Sequence, residues 1–277
     1  MRFTVTNNIG KPMIPIQFSL FWAGGGLSYL RYLTFKSLRH FHPKAKIQVY
    51  VPQRFTTKNH AWSCEKQDFE KPYAGKDYLE ELPKLDVEVV KVDYVGNPET
   101  ELIFQADLFR WLWLKENGGF YLDTDQLILK PFDALPLEKE FVYSSYIEKQ
   151  CGRYFPVGVL GLEKGSKLAD VVVMVLLKIY TPNNYNSSGP TTLLAASKFM
   201  DLTNSYNAPS QLFYPINSSA DVSKIYSGEF VPPEEAYALH WFGGHPLSQQ
   251  FNSEYTEDFA TTSMDSISKL SRQMGII

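Results

Sequence analysis

The sequence predicts an α/β protein built on a parallel sheet, and its first fifty residues carry most of that prediction. Residues 14–22 are apolar and rich in strand-forming side chains, and they end at Ala23-Gly24-Gly25-Gly26. Leu27, Leu30, Leu33, Ser37, Leu38 and Phe41 then recur at helical spacing, and a second apolar strand, 46–51, stops at Pro52. Strand, glycine loop, helix and strand in that order make a βαβ unit, whose crossover is almost always right-handed. Its sheet is of the kind whose strand ends bind nucleotides. At 277 residues the chain fits one large domain, so residues 1–277 are taken as a single unit without internal repeats.

The remaining elements follow from the same signals. Residues 53–83 turn polar and aromatic and read as an irregular excursion with some helix, after which strand character resumes at 85–93. Residues 101–117 form the strongest helix: Leu102, Ile103, Ala106, Phe109, Leu112 and Trp113 cover much of its circumference, so it must be buried. Gly118-Gly119 end it as C-terminal glycines do. Phe120-Tyr121-Leu122 is a short strand, and 127–129 lead into a turn at Lys130-Pro131-Phe132-Asp133. Further strands are expected at 140–147, 155–162, 211–216 and 237–242. Helices are expected at 166–180, at 190–200 and from about Thr262. The longest apolar run, 171–177, reads as a buried helix segment.

Composition narrows the function. A formal net charge of -3 with no basic run provides no field for a polyanion, so nucleic acid is not an expected partner. Cys64 and Cys151 show neither metal-ligand spacing nor a disulfide framework and read as free thiols. Residues 1–12 lack a signal-peptide pattern, and no stretch approaches the roughly 20 apolar residues of a membrane span. A soluble, cytoplasmic chain is expected. Aromatic residues make up 15% of the sequence, which suits stacking on a sugar or base as well as an aromatic core.

The chemistry concentrates at Asp123-Thr124-Asp125. If strand conformation persists that far, Asp123 and Asp125 point the same way and Thr124 the other. Two carboxylates sharing a site need a cation between them, and hard oxygen ligands favour Mg²⁺ or Mn²⁺, with a diphosphate as the natural third partner. The same residues would also serve to end a strand and cap a turn. Their position after a buried helix, a double glycine and an apolar strand places them where open α/β sheets bind ligands. Asp107 and Arg110, three apart on that helix, are either an internal ion pair or a pair of contacts for a ribose or base.

Ala106-Asp107-Leu108-Phe109-Arg110 and Asn117-Gly118-Gly119-Phe120-Tyr121-Leu122-Asp123-Thr124-Asp125 resemble the signature of glycosyltransferases with a DxD sugar-binding region. That group includes initiating mannosyltransferases, capsule and lipopolysaccharide enzymes and, more distantly, glucosylating clostridial toxins. The N-terminal Ile14-Pro15 and Phe21-Trp22-Ala23-Gly24-Gly25 extend the similarity from the start of the chain to about Asp133. The resemblance implies a GT-A fold, a Rossmann-like mixed sheet flanked by helices. It also implies a UDP- or GDP-sugar donor, Mn²⁺ or Mg²⁺, and transfer with retention to a glycan, lipid-linked or protein acceptor. Residues 1–133 would form the nucleotide-sugar half, and 134–277 the acceptor and metal-completing half. Carried over by position, Trp22, Ala23 and Gly24 would meet the nucleotide, with Trp22 stacking on the base. Asp107 and Arg110 would hold nucleoside and sugar, and Tyr121 would line the donor site. Asp123 would bind ribose and metal, and Asp125 metal. Gly189, within Ser188-Gly189-Pro190-Thr191, resembles the family's Gly-Pro helix start, whose free N–H groups could receive an anion. Ala238-Leu239-His240-Trp241 resembles the late segment that completes the metal shell, with His240 as the ligand and His245 as its rival. Two departures stand out: Val157 replaces the family's asparagine, and Gly244-His245 replaces its Ser-Trp.

Two other classes fit parts of the sequence. Phe120-Tyr121-Leu122-Asp123-Thr124-Asp125 also approximates the nucleophile strand of haloacid-dehalogenase-like phosphatases, with Asp123 phosphorylated and Asp125 as acid/base. That class needs a later acidic pair on a second strand; Glu234-Glu235, after two prolines, does not supply one. A non-catalytic sugar-nucleotide-binding protein on the same fold is the third reading.

Overall fold

The computed structural model describes residues 13–23, 25–56, 73–148, 152–216 and 221–277. Strand β1 (Gln17–Phe21), helix α1 (Tyr29–Phe41) and strand β2 (Lys46–Pro52) form the expected unit, with β1 and β2 parallel. Ser28 caps α1 by accepting the Arg31 N–H, and Leu30, Leu33, Ser37 and Leu38 make its buried stripe. A 3₁₀ segment, Tyr78–Leu85, leads to β3 (Glu88–Val92), parallel to β2. Then follow α2 (Leu102–Asn117), β4 (Gly119–Leu122), β5 (Gln126–Ile128), β6 (Phe141–Ser144), the hairpin β7 (Tyr146–Glu148) and β8 (Gly152–Tyr154), and β9 (Val159–Leu162). The chain continues through α3 (Leu168–Ile179), α4 (Pro190–Ala196), β10 (Ser205–Ala208), α5 (Val222–Ser227), β11 (Ala238–His240), α6 (Pro246–Glu254), α7 (Glu257–Thr262) and α8 (Ser266–Gln273).

The main sheet has the order β10-β6-β9-β4-β1-β2-β3, and β9 runs antiparallel to both of its neighbours. Both faces are covered, as a largely parallel sheet requires. Alternation sorts the side chains: Phe18, Leu20, Phe120, Leu122, Val142 and Val159 face the core shared with α1, β5 and β11. Tyr121, Phe141, Leu160 and Leu162 face the core of α2, α3 and α4. Gly119 lets β4 start hard against β1: its φ is +102°, and a Cβ there would lie 2.6 Å from the Gln17 carbonyl oxygen.

Several expectations change. The predicted 155–162 strand is shorter, because 155–158 run irregularly past the strand ends before β9, and the predicted 140–147 strand breaks into β6 and β7. Residues 211–216 are not a strand; Ser210–Leu212 form a 3₁₀ turn, and Leu212, Phe213, Tyr214 and Ile216 are buried as loop side chains. The strand in that region is β10, an edge strand of polar sequence held by parallel pairing to β6. Helix α4 ends at Ala196, and α3 is buried along one face only, with Met174 and Leu177 exposed. α2 is largely buried, as predicted, though Ile103 and Ala106 are half-buried and Leu112 is exposed. Among the described residues no helix is long and apolar enough to cross a membrane. Residues 1–12, Gly24, Cys64 and Cys151 lie outside the described residues.

Candidate active site

Strand β4 ends at Leu122, and Asp123-Thr124-Asp125 is a turn rather than a strand continuation. The two aspartates still converge, for a different reason. Thr124 is drawn toward α1: Thr34 Oγ1 donates to its carbonyl at 2.8 Å and Arg31 Nη1 to its hydroxyl at 2.7 Å. On the other side, the Asp123 N–H donates to Gly158 O at 2.8 Å. Asp125 is held by the chain after β11, since the Trp241 N–H donates to its carbonyl at 3.0 Å and the Gly243 N–H to its Oδ2 at 2.6 Å. β11 pairs antiparallel with β5, opposing His240 to Gln126, and this brings His240 Nε2 to 3.2 Å from Asp125 Oδ2. Asp123, Asp125 and His240 thus each offer a ligand atom within 4.8 Å of the others. His245 stands outside this group, since its Nδ1 caps α6 by accepting the Leu247 N–H.

These residues fit a divalent cation. Burial pushes the Asp125 carboxyl up, but His240, Arg31 and the Gly243 N–H together hold it well below the usual carboxylate range, so it stays ionised. Its Oδ1 is buried without a hydrogen bond, an orphan acceptor that a cation would satisfy. Two carboxylates and an imidazole are also a donor set that Mn²⁺ or Mg²⁺ accepts. Burial lowers the His240 pKa, but the Asp125 charge and hydrogen bond outweigh it and raise the imidazole above its ordinary 6.5. A cation must therefore displace a proton from His240. Apparent Mn²⁺ affinity is expected to climb as pH rises through the raised imidazole value and to level off above it. Proton release on Mn²⁺ binding should be larger below that raised value than above it, as calorimetry in buffers of different ionisation enthalpy would read.

Beside the carboxylates lies the Asp107–Arg110 pair, at 2.8 Å and almost fully buried on α2. Arg110 also donates to Val157 O, lies 4.4 Å from the Tyr121 ring centroid and stands 3.6 Å from Asp123 Oδ1. Burial opposes its charge, but Tyr121, Asp107 and Asp123 keep it protonated. The Ser188 hydroxyl donates to Asp107 Oδ2 at 2.5 Å, and the Tyr121 hydroxyl donates to Asp123 Oδ1 at 2.9 Å. The ion pair therefore exists and also faces the cleft. At position 157, the valine contributes its backbone carbonyl to Arg110.

A solvent-open cleft of about 810 Å³ joins these groups. Trp22, Ala23, Asp107, Arg110, Tyr121, Asp123 and Asp125 line it. Gly189 sits behind this lining as a spacer, where a Cβ would press to 3.2 Å from both Asp107 Oδ2 and Val157 Cγ2. The Thr191 N–H of the following helix already donates to Asn186 O at 3.1 Å. Three residues that pattern reasoning passed over belong here. Arg31 and Tyr185 line the cleft. Burial and the charges of Asp123, Asp125 and Asp107 push the Tyr185 phenol far above its ordinary value. Gln126, fully buried next to the DxD turn, leaves both amide atoms without hydrogen bonds among the described residues. Gly158 packs directly on the Asp-x-Asp turn: a Cβ would lie 2.7 Å from Asp123 Oδ2. Gly158→Ala is expected to weaken Mn²⁺ binding roughly 10- to 100-fold, the usual effect of disturbing what orients a ligand. Its melting temperature should change little, because the group it meets is the movable end of a side chain.

Residues 32–142 match the family model described as a glycosyltransferase sugar-binding region containing the DXD motif. Asp107, Arg110 and the Asp123-Thr124-Asp125 turn fall within the match; Trp22, Arg31 and His240 fall outside it. Among solved structures, the PaToxG glycosyltransferase superposes with a TM-score of 0.52 at 15% identity, over 95% of this chain and 88% of that one. GlyE, a glycosyltransferase of Streptococcus pneumoniae TIGR4, superposes with a TM-score of 0.51 at 14% identity, over 95% of this chain and 60% of that one. At such identities the likeness is one of fold. No curated protein matches the sequence. A mostly parallel sheet ending in an Asp-x-Asp turn beside a buried Asp–Arg pair is the arrangement of this chain, and its fold is the GT-A fold of those structures. Residues 32–142 of the chain carry the DXD sugar-binding region of glycosyltransferases.

Proposed function

We propose that the protein transfers a sugar from a UDP- or GDP-sugar to an acceptor hydroxyl of a glycan, lipid-linked or protein acceptor, in cytoplasmic polysaccharide or glycan synthesis. The observation that carries this reading is the convergence of Asp123, Asp125 and His240 on one wall of the cleft whose neighbouring wall is Asp107–Arg110. Mn²⁺ or Mg²⁺ held by the first three would offset negative charge on the departing nucleoside diphosphate. Trp22, Ala23 and Gly24 receive the nucleotide, and Asp107 and Arg110 orient ribose and sugar. Tyr121 fixes the Asp123 carboxylate by its hydrogen bond, and Gly189 keeps room beside Asp107. Residues 1–133 hold the donor, while 134–277 complete the metal shell and meet the acceptor.

Retention by attack from the leaving-group side suits this cleft. Asp107 pairs with Arg110 and Ser188, and Asp123 and Asp125 would hold the cation, so among the described residues none of the three carboxylates that line the cleft is left as a nucleophile. The phosphatase reading gains no support, since Glu234-Glu235 lie in an irregular segment before β11. Calorimetry with UDP-, GDP- and dTDP-sugars, with and without Mn²⁺, tests the proposal. It expects metal-dependent binding of one donor, and it fails if no donor binds.

A further inference from the structure

The cleft contains a second guanidinium, that of Arg31, for which the proposed donor site names no ligand contact. Arg31 lies on α1, one residue before the matched sugar-binding region begins. Its guanidinium carbon stands 4.8 Å from the Trp22 ring centroid and 5.1 Å from that of Trp241. Nη1 donates to the Thr124 hydroxyl at 2.7 Å, and Nε is buried without a hydrogen bond. On the far side, a Cβ at Gly243 would lie 2.6 Å from Nη2 and 3.1 Å from Asp125 Oδ2, so only a glycine leaves the guanidinium and carboxylate their places.

Charge pairing sets Arg31 apart. Three carboxylates and two guanidiniums line the cleft. Arg110 is committed to Asp107 and Val157 O. Among the described residues Arg31 makes no ion pair, and its hydrogen-bond partner is a neutral hydroxyl. Holding a guanidinium between two indoles and short of a carboxylate costs solvation, which a bound anion would restore. Arginine presents a planar fork suited to phosphate oxygens.

We infer that Arg31 is the side chain that grips the distal phosphate of the nucleoside diphosphate, on the α1 side of the cation site. This rests on the metal-dependent donor reading. It adds a protein contact to charge that develops as the sugar departs, held between Trp22 and Trp241 so that little reorganisation is needed. Because Arg31 is also bonded to Thr124, its effect on phosphate must be separated from any effect on the Asp-x-Asp turn.

The test compares UDP, GDP and dTDP with their monophosphates by calorimetry in saturating Mn²⁺, and titrates Mn²⁺ alone by electron paramagnetic resonance. Wild type, Arg31→Met and Arg31→Lys are compared. In Arg31→Met the advantage of diphosphate over monophosphate is expected to fall about tenfold or more, the worth of a charge-assisted contact. Monophosphate and Mn²⁺ affinities should stay within about threefold, the latter rising if it moves, since a positive charge near Asp125 is gone. Arg31→Lys, which keeps the charge and protects against misfolding, should retain an intermediate advantage. An unchanged diphosphate advantage in Arg31→Met overturns the inference, as does an equal loss of Mn²⁺ affinity, which would mark Arg31 as a brace for the turn. Absence of Mn²⁺-dependent diphosphate binding in wild type would instead overturn the donor reading itself, and this inference with it.

Discussion

Replacing Asp125 by asparagine is expected to abolish metal-dependent donor binding and to lower sugar transfer on the order of 10³-fold, the several kcal/mol that a bound cation contributes to charge stabilisation. The substitution is nearly isosteric. The Gly243 N–H can still find an amide oxygen, and the Trp241 contact is made to the backbone, so the turn should keep its path. What disappears is the ionised carboxylate whose Oδ1 is buried without a partner. The proton that Asp125 holds on His240 should also loosen, because that charge is the main cause of the raised imidazole value. Thermal scans give an independent readout. Mn²⁺ at 100 times its Kd should stabilise wild type by about 2.7 kcal/mol, and Asp125→Asn by almost nothing.

The second large effect lies at the Asp107–Arg110 pair. Asp107→Ala leaves a guanidinium buried on α2 with the Val157 carbonyl, the Tyr121 ring and a more distant Asp123 as its remaining compensation, and it strips Ser188 of its acceptor. Removing one partner of a buried pair typically costs about 3–5 kcal/mol, a drop in melting temperature on the order of 10 °C for a chain of this size. Arg110→Met should cost less, because the two partners differ in what they can do when abandoned. Burial already pushes the Asp107 carboxyl up, with Arg110 as the main influence against it, so without Arg110 it can take up a proton. A guanidinium cannot lose one. The sign of the pH dependence follows. With its folded value raised above the unfolded one, Asp107 in Arg110→Met binds its proton more tightly when folded. The variant should be most stable in acid and lose stability as pH rises from about 4 through that raised value. Equal destabilisation by both substitutions, with no pH dependence in Arg110→Met, would show that the pair is solvated and unimportant to the fold.

How much of this was legible in the sequence depended on how local each signal is. The βαβ unit, α2 and the Asp-x-Asp position were readable because periodicity, a double glycine and a run of adjacent residues all lie within a few turns of chain. Strand alternation predicts the convergence of Asp123 and Asp125, but a turn whose Thr124 carbonyl is anchored by the Thr34 hydroxyl, some 90 residues away, produces it. His240 could be singled out only through resemblance, since antiparallel pairing of β11 with β5 brings it to the carboxylates and nothing near it in sequence announces this. Arg31, Tyr185 and Gln126 carry no motif. Arg31 hides on the partly exposed side of a helix read for its apolar stripe, Tyr185 in a polar loop, and Gln126 at the first residue of a three-residue strand. Polar β10 and apolar 211–216 were exchanged because edge pairing and loop burial are tertiary facts, and composition alone points the other way.

The most direct test of metal-dependent sugar transfer is release of nucleoside diphosphate from a panel of nucleotide sugars, followed by mass spectrometry with and without Mn²⁺, in wild type and in Asp125→Asn. One donor consumed only with metal, and not by Asp125→Asn, is the predicted result. If no donor is consumed while a generic phosphate ester is hydrolysed, and that hydrolysis is lost in Asp123→Asn, Asp123 is a nucleophile and the transferase mechanism is wrong.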